Sequence, residues 1–262
     1  MSPYLIFPLF ALLFGMVIGS FLNVCISRMP KNESIVSPPS HCPVCFYKIC
    51  WFDNIPLLSY ILLRGKCRGC GTHISLQYPL VELTNGLLTL FLYLRFGPTL
   101  AFAALFVFCS SMVVITFIDI EHQIIPDEIS LPGIVIGFVL SFFLTGHDWL
   151  NSLLGILLGG GTLYLVAWSY YRFTGKDGMG GGDIKLLAMM GAFLGWKAVI
   201  FIIFASSLFG SVVGVSIMLL QKKDGKLAIP FGPYLAFGAI LYIFYGGPLI
   251  RWYLGLSGFV QG

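Results

Sequence analysis

Apolar runs about as long as a bilayer is thick most narrow the folds open to this chain. A spanning helix needs about 20 mostly apolar residues, because its backbone N–H and C=O groups must pair inside the segment. Residues 4–24, 99–118, 129–145, 150–171 and 198–220 meet that demand. Residues 80–94, 186–195 and 231–245 are shorter runs of the same character. The expected fold is therefore all-α and polytopic, with about eight spans. Composition agrees: 58% of residues are hydrophobic and 10% charged, where a soluble domain carries about 25% charged. The formal net charge of +4 gives no ground for a nucleic-acid partner.

No basic residue precedes the first apolar run and no small-residue cleavage site follows it, so that run is expected to stay as a span rather than leave as a signal. With the N-terminus outside, the inner loops hold 12 Lys and Arg and the outer loops hold 3, namely Arg95, Lys197 and Arg251. Positive charge collects on the cytoplasmic side. Asp119, at the end of the third run, and Asp183, ahead of the sixth, then both fall on that side.

The largest polar segment runs from Arg28 to about Tyr78. It contains HCPVC and CRGC, so Cys42, Cys45, Cys67 and Cys70 are spaced CxxC-x21-CxxC. Two such knuckles can bring four thiolates to one tetrahedral ion, and a structural zinc is the expected occupant, since four protein ligands leave no open position for water. Gly65, Gly69 and Gly71 suit the tight turns that knuckles need. Two disulfides or an iron–sulfur cluster would use the same residues, although a reducing cytosol disfavours disulfides. Cys25 and Cys109 read as membrane packing, and Cys50 as a loop residue.

Only 11 residues are acidic. Asp119 directly follows an apolar run, and an ionisable group at a span end is costly enough to be a functional hypothesis by default. Asp183 follows Gly180, Gly181 and Gly182, which let backbone approach closely and set a short acid at a helix start. Singly, Asp183 can be a helix cap, and Asp119, Asp127 and Asp177 can be interfacial charges. As a pair, Asp119 and Asp183 have a chemistry. One ionised Asp acts as general base on a water while the other, protonated, polarises the scissile carbonyl, because two close carboxyls share a proton. His122 is a candidate assistant to Asp119. No serine elbow, HExxH or Rossmann glycine turn is present. In a proton-coupled transporter the same aspartates would be mid-span relays, and in an assembly scaffold the cysteine loop would be a docking module.

Six stretches carry a family resemblance: GSFLNVCISRMP, the two CxxC knuckles, DNIPLLSYILLRGKCRGC with QYPLVEL, FIDIEHQIIPDEISLPG, TGKDGMGGGDIKLLAMMGAFLGW and IPFGPYLAFG. In this order they make the chain resemble the type IV prepilin peptidases, GxGD-type membrane aspartyl proteases of bacterial type IV pilus and type II secretion systems. The resemblance implies a bifunctional enzyme at the inner membrane. It would cut the basic leader from prepilins or pseudopilins on the cytoplasmic side, then methylate the new N-terminal amine with S-adenosylmethionine. Asp119 and Asp183 align with the catalytic pair, Asp127 with a motif residue outside it, and Cys42, Cys45, Cys67 and Cys70 with the knuckle cysteines. Gly65 matches a glycine of the loop that the family links to methyl transfer. Asp53 stands where many members carry Glu. Members without the cysteine loop are peptidases only, so its presence here implies both activities.

Gly65 and Glu82 are the candidates for contact with the methyl donor, Glu82 having helix-end placement as its alternative. The expected organisation is a first span at 1–24, a cytoplasmic zinc loop linked to methyl transfer at 25–79, and a membrane-embedded peptidase core at 80–262.

Overall fold

The computed structural model describes residues 3–144, 148–176, 180–221 and 230–256. Asp177 lies outside the described residues, as do Lys222, Lys223 and Lys226, three of the 12 inner-loop Lys and Arg counted above, and Thr145, Gly178, Met179 and Ile229. The described chain is helical: α1 (Pro3–Arg28), α2 (Leu58–Leu62), α3 (Gln77–Phe96), α4 (Leu100–His122), α5 (Asp127–Leu140), α6 (Trp149–Thr174), α7 (Gly181–Leu194), α8 (Trp196–Gln221) and α9 (Gly232–Leu256). Each of the eight apolar runs falls on its own helix, and only α2 has none.

Among the described residues five helices are long and apolar enough to cross a membrane: Ile6–Lys31, Leu100–His122, Trp149–Thr174, Trp196–Leu220 and Gly232–Tyr253. The other three fall short for physical reasons. α5 and α7 have 14 residues each, or about 21 Å at 1.5 Å per residue, against a hydrocarbon core of about 30 Å. α3 has 20 residues but its apolar run is diluted by Glu82, Thr84, Asn85, Thr89 and Arg95. α5 stops at Leu140. Just beyond it the Ser141 hydroxyl donates to the Phe138 carbonyl at 2.6 Å, a local bond that competes with further helix. α9 instead outruns its apolar run, continuing through Gly246, Gly247 and Pro248 to Leu256.

The chain divides into two compact units, Met1–Ile118 and Asp119–Gly262. In the first, α1 lies along α3 at close range. A Cβ on Gly19 would stand 2.7 Å from the Glu82 Cα, so only glycine allows this approach. Asn85 is buried at the seam. It donates to the Gly15 carbonyl of α1 at 2.7 Å and accepts from the Ser110 hydroxyl of α4 at 2.9 Å. Those bonds meet the demand that a buried amide finds partners.

In the second unit α7 is the inner helix. Every residue from Leu186 to Phe193 is buried, as expected of a helix that is apolar on all faces. Gly155 and Gly159 of α6 bring backbone against the Gly191 and Leu187 carbonyls, and Ser152 donates to the Ala192 carbonyl at 2.8 Å. From α5, Gly133 meets Met189 and Gly137 meets Phe193. Phe209 of α8 packs edge-on against Phe237 of α9, with centroids 4.8 Å apart. The outer faces stay apolar, with Phe204 73% exposed and Leu220 83%, a surface suited to lipid rather than water.

Candidate active site and metal centre

In the second unit three helix ends and one loop residue converge. Asp119 lies one turn from the end of α4 and is only 5% exposed. Its Oδ2 accepts a 2.9 Å hydrogen bond from the Gly232 amide at the start of α9. A Cβ on Gly232 would lie 2.6 Å from that oxygen. Asp183 stands in the first turn of α7, behind Gly180 as its cap residue. A Cβ on Gly182 would lie 2.8 Å from the Ile125 Cβ, and one on Gly232 would lie 3.5 Å from the Ile125 Cδ1. Ile125, between α4 and α5, is thus packed against the starts of both α7 and α9.

Burial, and then the charge of Asp119, push the Asp183 carboxyl up to about 6 from an ordinary 3.8. The two aspartates are therefore electrostatic neighbours. One ionised and one neutral carboxyl near a helix start suit general acid–base work on a water. Lys185, on α7, has its Nζ 2.7 Å from both carboxylate oxygens of Asp127 at the start of α5. His122 faces Glu121 at 3.9 Å on exposed surface.

In the first unit the knuckles fold as two copies of one pattern. Cys42 N–H donates to the Tyr47 carbonyl and Phe46 N–H to the Cys42 carbonyl, both at 2.9 Å. Twenty-five residues on, Cys67 N–H donates to Thr72 at 2.8 Å and Gly71 N–H to Cys67 at 2.9 Å. The turn residues Phe46 and Gly71 both have positive φ, 58° and 72°.

The four sulfurs all lie within 4.8 Å of one another. Cys42 and Cys70 are 3.9 Å apart, as are Cys45 and Cys67. Metal–sulfur bonds of about 2.3 Å in a tetrahedron set sulfurs about 3.8 Å apart, so the cluster fits a single metal ion. The Thr72 hydroxyl and backbone hold the Cys70 thiol down to about 6, while, against the Tyr47 backbone, desolvation and its neighbours in the cluster push Cys45 up to about 12, so without an ion the four sulfurs do not all become thiolates together.

The two candidates for the methyl-donor contact are placed as follows. Glu82 is buried, and its Oε2 accepts the Leu57 N–H at 2.9 Å. Leu57 has φ 59° and ψ −46°. Gly65 has φ +66°, and a Cβ there would lie 2.9 Å from the Tyr60 hydroxyl.

Three neighbours of these candidate sites were not singled out from sequence. Gly232 stood inside IPFGPYLAFG, where a glycine followed by Pro ahead of an apolar run signals a helix start. Lys185 stood inside GGGDIKLL, with no sign of its distant partner Asp127. Arg68 grips the buried Asp53 carboxylate with three contacts of 2.7 to 3.0 Å, joining the second knuckle to the 3-10 turn Trp51–Asn54.

Residues 13–96 match the Bacterial Peptidase A24 N-terminal domain, and residues 106–215 match the Type IV leader peptidase family. The chain is similar to the prepilin leader peptidase/N-methyltransferase of Aeromonas hydrophila, with 37% identity over 96% of this chain and 95% of the relative. The protein of the same name from Xanthomonas campestris pv. campestris is 40% identical over 98% and 97%. That from Pseudomonas aeruginosa is 36% identical over 98% and 97%. No solved structure matches.

Proposed function

The chain belongs to the type IV leader peptidase family, and on that premise we propose that Asp119 and Asp183 are the catalytic pair that cuts the leader from a type IV prepilin. The enzyme is a prepilin peptidase and N-methyltransferase of type IV pilus biogenesis: it removes the leader and methylates the new N-terminal residue. The observation that carries the assignment of the pair is that Gly182, next to Asp183, and Gly232, whose amide binds Asp119, both pack against Ile125, where the charge of Asp119 acts on a half-buried Asp183. One carboxylate takes a proton from water as the water attacks the scissile carbonyl, and the neutral carboxyl donates to the carbonyl oxygen.

Further parts of this reading rest on particular supports. The positive-inside count supports an inner-membrane enzyme with its aspartates facing the cytoplasm. An eight-span topology counts α3, α5 and α7 as short or tilted crossings. The cytoplasmic loop at 25–79 serves methyl transfer, with Cys42, Cys45, Cys67 and Cys70 holding one zinc. The sulfur spacing supports that ion, which would tie the two knuckles into one rigid loop. S-adenosylmethionine is the methyl donor, and residues 80–262 form the peptidase core. Pseudopilins of type II secretion present the same leader chemistry and are further substrates.

The test is to incubate the purified protein with a prepilin and follow leader release by mass. Asp119→Asn and Asp183→Asn should each abolish cleavage. A normal rate from either variant removes that residue from the pair.

A further inference from the structure

Two carboxyls that share one proton need something to decide which of them keeps it. The hydrogen bonds around α9 supply an answer. The first amides of a helix have no partner within it. Here Tyr234 and Leu235 both donate to the Phe231 carbonyl, at 3.1 and 3.2 Å, and Pro233 has no N–H to give. The amide left over is that of Gly232, and it is spent on Asp119 at 2.9 Å. It lies at the positive end of a 25-residue helix, where a carboxylate is favoured over a neutral carboxyl. Glycine is required for this approach, because a Cβ would stand 2.6 Å from the accepting oxygen.

Asp183 has no comparable support. Among the described residues no hydrogen bond reaches its carboxyl, and its own amide donates to the Gly180 carbonyl at 3.2 Å. Burial disfavours charge on both carboxyls, Asp119 being only 5% exposed, but the Gly232 amide opposes it at Asp119 alone, and the neighbouring charge of Asp119 adds to it at Asp183.

We propose that Asp119 is the ionised general base, held in that state by the Gly232 amide, and that Asp183 carries the shared proton as general acid. This rests on the reading of Asp119 and Asp183 as the catalytic pair and gives each a role. The Asp119 carboxylate takes one proton from water while the water oxygen bonds to the scissile carbonyl carbon. Asp183 gives its proton to the carbonyl oxygen, forming a gem-diol. Asp119 then returns its proton to the departing amide nitrogen as the C–N bond breaks, and Asp183 recovers a proton from one gem-diol hydroxyl. One water is consumed, one acid and one amine leave, and both aspartates regain their starting states. Gly232 is a positioning residue.

The experiment is infrared spectroscopy of the full chain in lipid nanodiscs at mildly acidic pH, read alongside cleavage of a prepilin. The protonated-carboxyl C=O band should vanish in Asp183→Asn. It should persist in Asp119→Asn and titrate at lower pH, because the neighbouring charge is gone. Gly232→Ala should cut leader cleavage roughly 10- to 100-fold, the rate equivalent of one hydrogen bond to a charged group, and still methylate a pilin already cut. A band that follows Asp119 instead, with both Asn variants inactive, overturns the division of roles and leaves the pair standing. Unimpaired cleavage by both Asn variants overturns the pair itself. A Gly232→Ala enzyme that cuts at the wild-type rate removes Gly232 from the scheme.

Discussion

Lys185 bridges both carboxylate oxygens of Asp127 at 2.7 Å, and so ties the start of α7 to the start of α5 two positions beyond Asp183. The side chains are 38% and 51% exposed, which limits a single ion pair to about 0.2–1 kcal/mol. Asp127→Asn and Lys185→Met should each lower kcat/KM for leader cleavage by no more than about fivefold. The exchange Asp127→Lys with Lys185→Asp should recover most of the loss. A larger fall that the exchange does not repair would give Asp127 a role in the reaction itself.

The raised Asp183 carboxyl links activity and stability to pH. Between the ordinary 3.8 and its folded value of about 6, the folded chain keeps a proton that the unfolded chain has released. Stability is then greatest below the unfolded value and declines as pH rises through the folded one. At neutral pH Asp183→Asn should melt at a higher temperature than the natural protein, although it is inactive, and the difference should vanish in acid. Cleavage should fall on the alkaline side as Asp183 loses its proton. Thermal melts and a kcat/KM profile against pH check both.

The sulfur spacing predicts one zinc per chain by elemental analysis, released in step with four thiols when the protein is chelated. A content near zero rules the ion out, and iron in its place would favour the iron–sulfur alternative. Cys42→Ser should weaken methylation more than cleavage. Equal loss of both would mean that the loop serves folding alone.

Gly155 and Gly191 meet backbone to backbone, and a Cβ on either would collide with the carbonyl of the other. Nothing flexible can give way, so overpacking should cost about 1–3 kcal/mol. Gly191→Ala should lower the melting temperature and the cleavage rate, because α7 carries Asp183. A melt and rate equal to the natural protein's would show that the two helices can part without disturbing the site.

Much of this protein follows from local patterns. Apolar length set the helical membrane class, since a bilayer offers no other partner for the backbone. CxxC spacing picked out four cysteines whose sulfurs do cluster, and the glycine-flanked and span-end acids made Asp119 and Asp183 the candidates for a pair. These signals lie within single helices or turns, where spacing alone constrains geometry.

What only the tertiary structure decided are pairings between residues far apart in the chain. The Gly232 amide reaches Asp119 from 113 positions away, and Lys185 reaches Asp127 from 58. The Glu82 carboxylate is spent on Leu57 N–H. Helix periodicity says which face of a segment is apolar. It does not say which neighbour covers that face or which amide is left over at its end. The two aspartates could thus be picked out as candidates from sequence. The amide on one, and the lack of any such bond to the half-buried other among the described residues, came from packing.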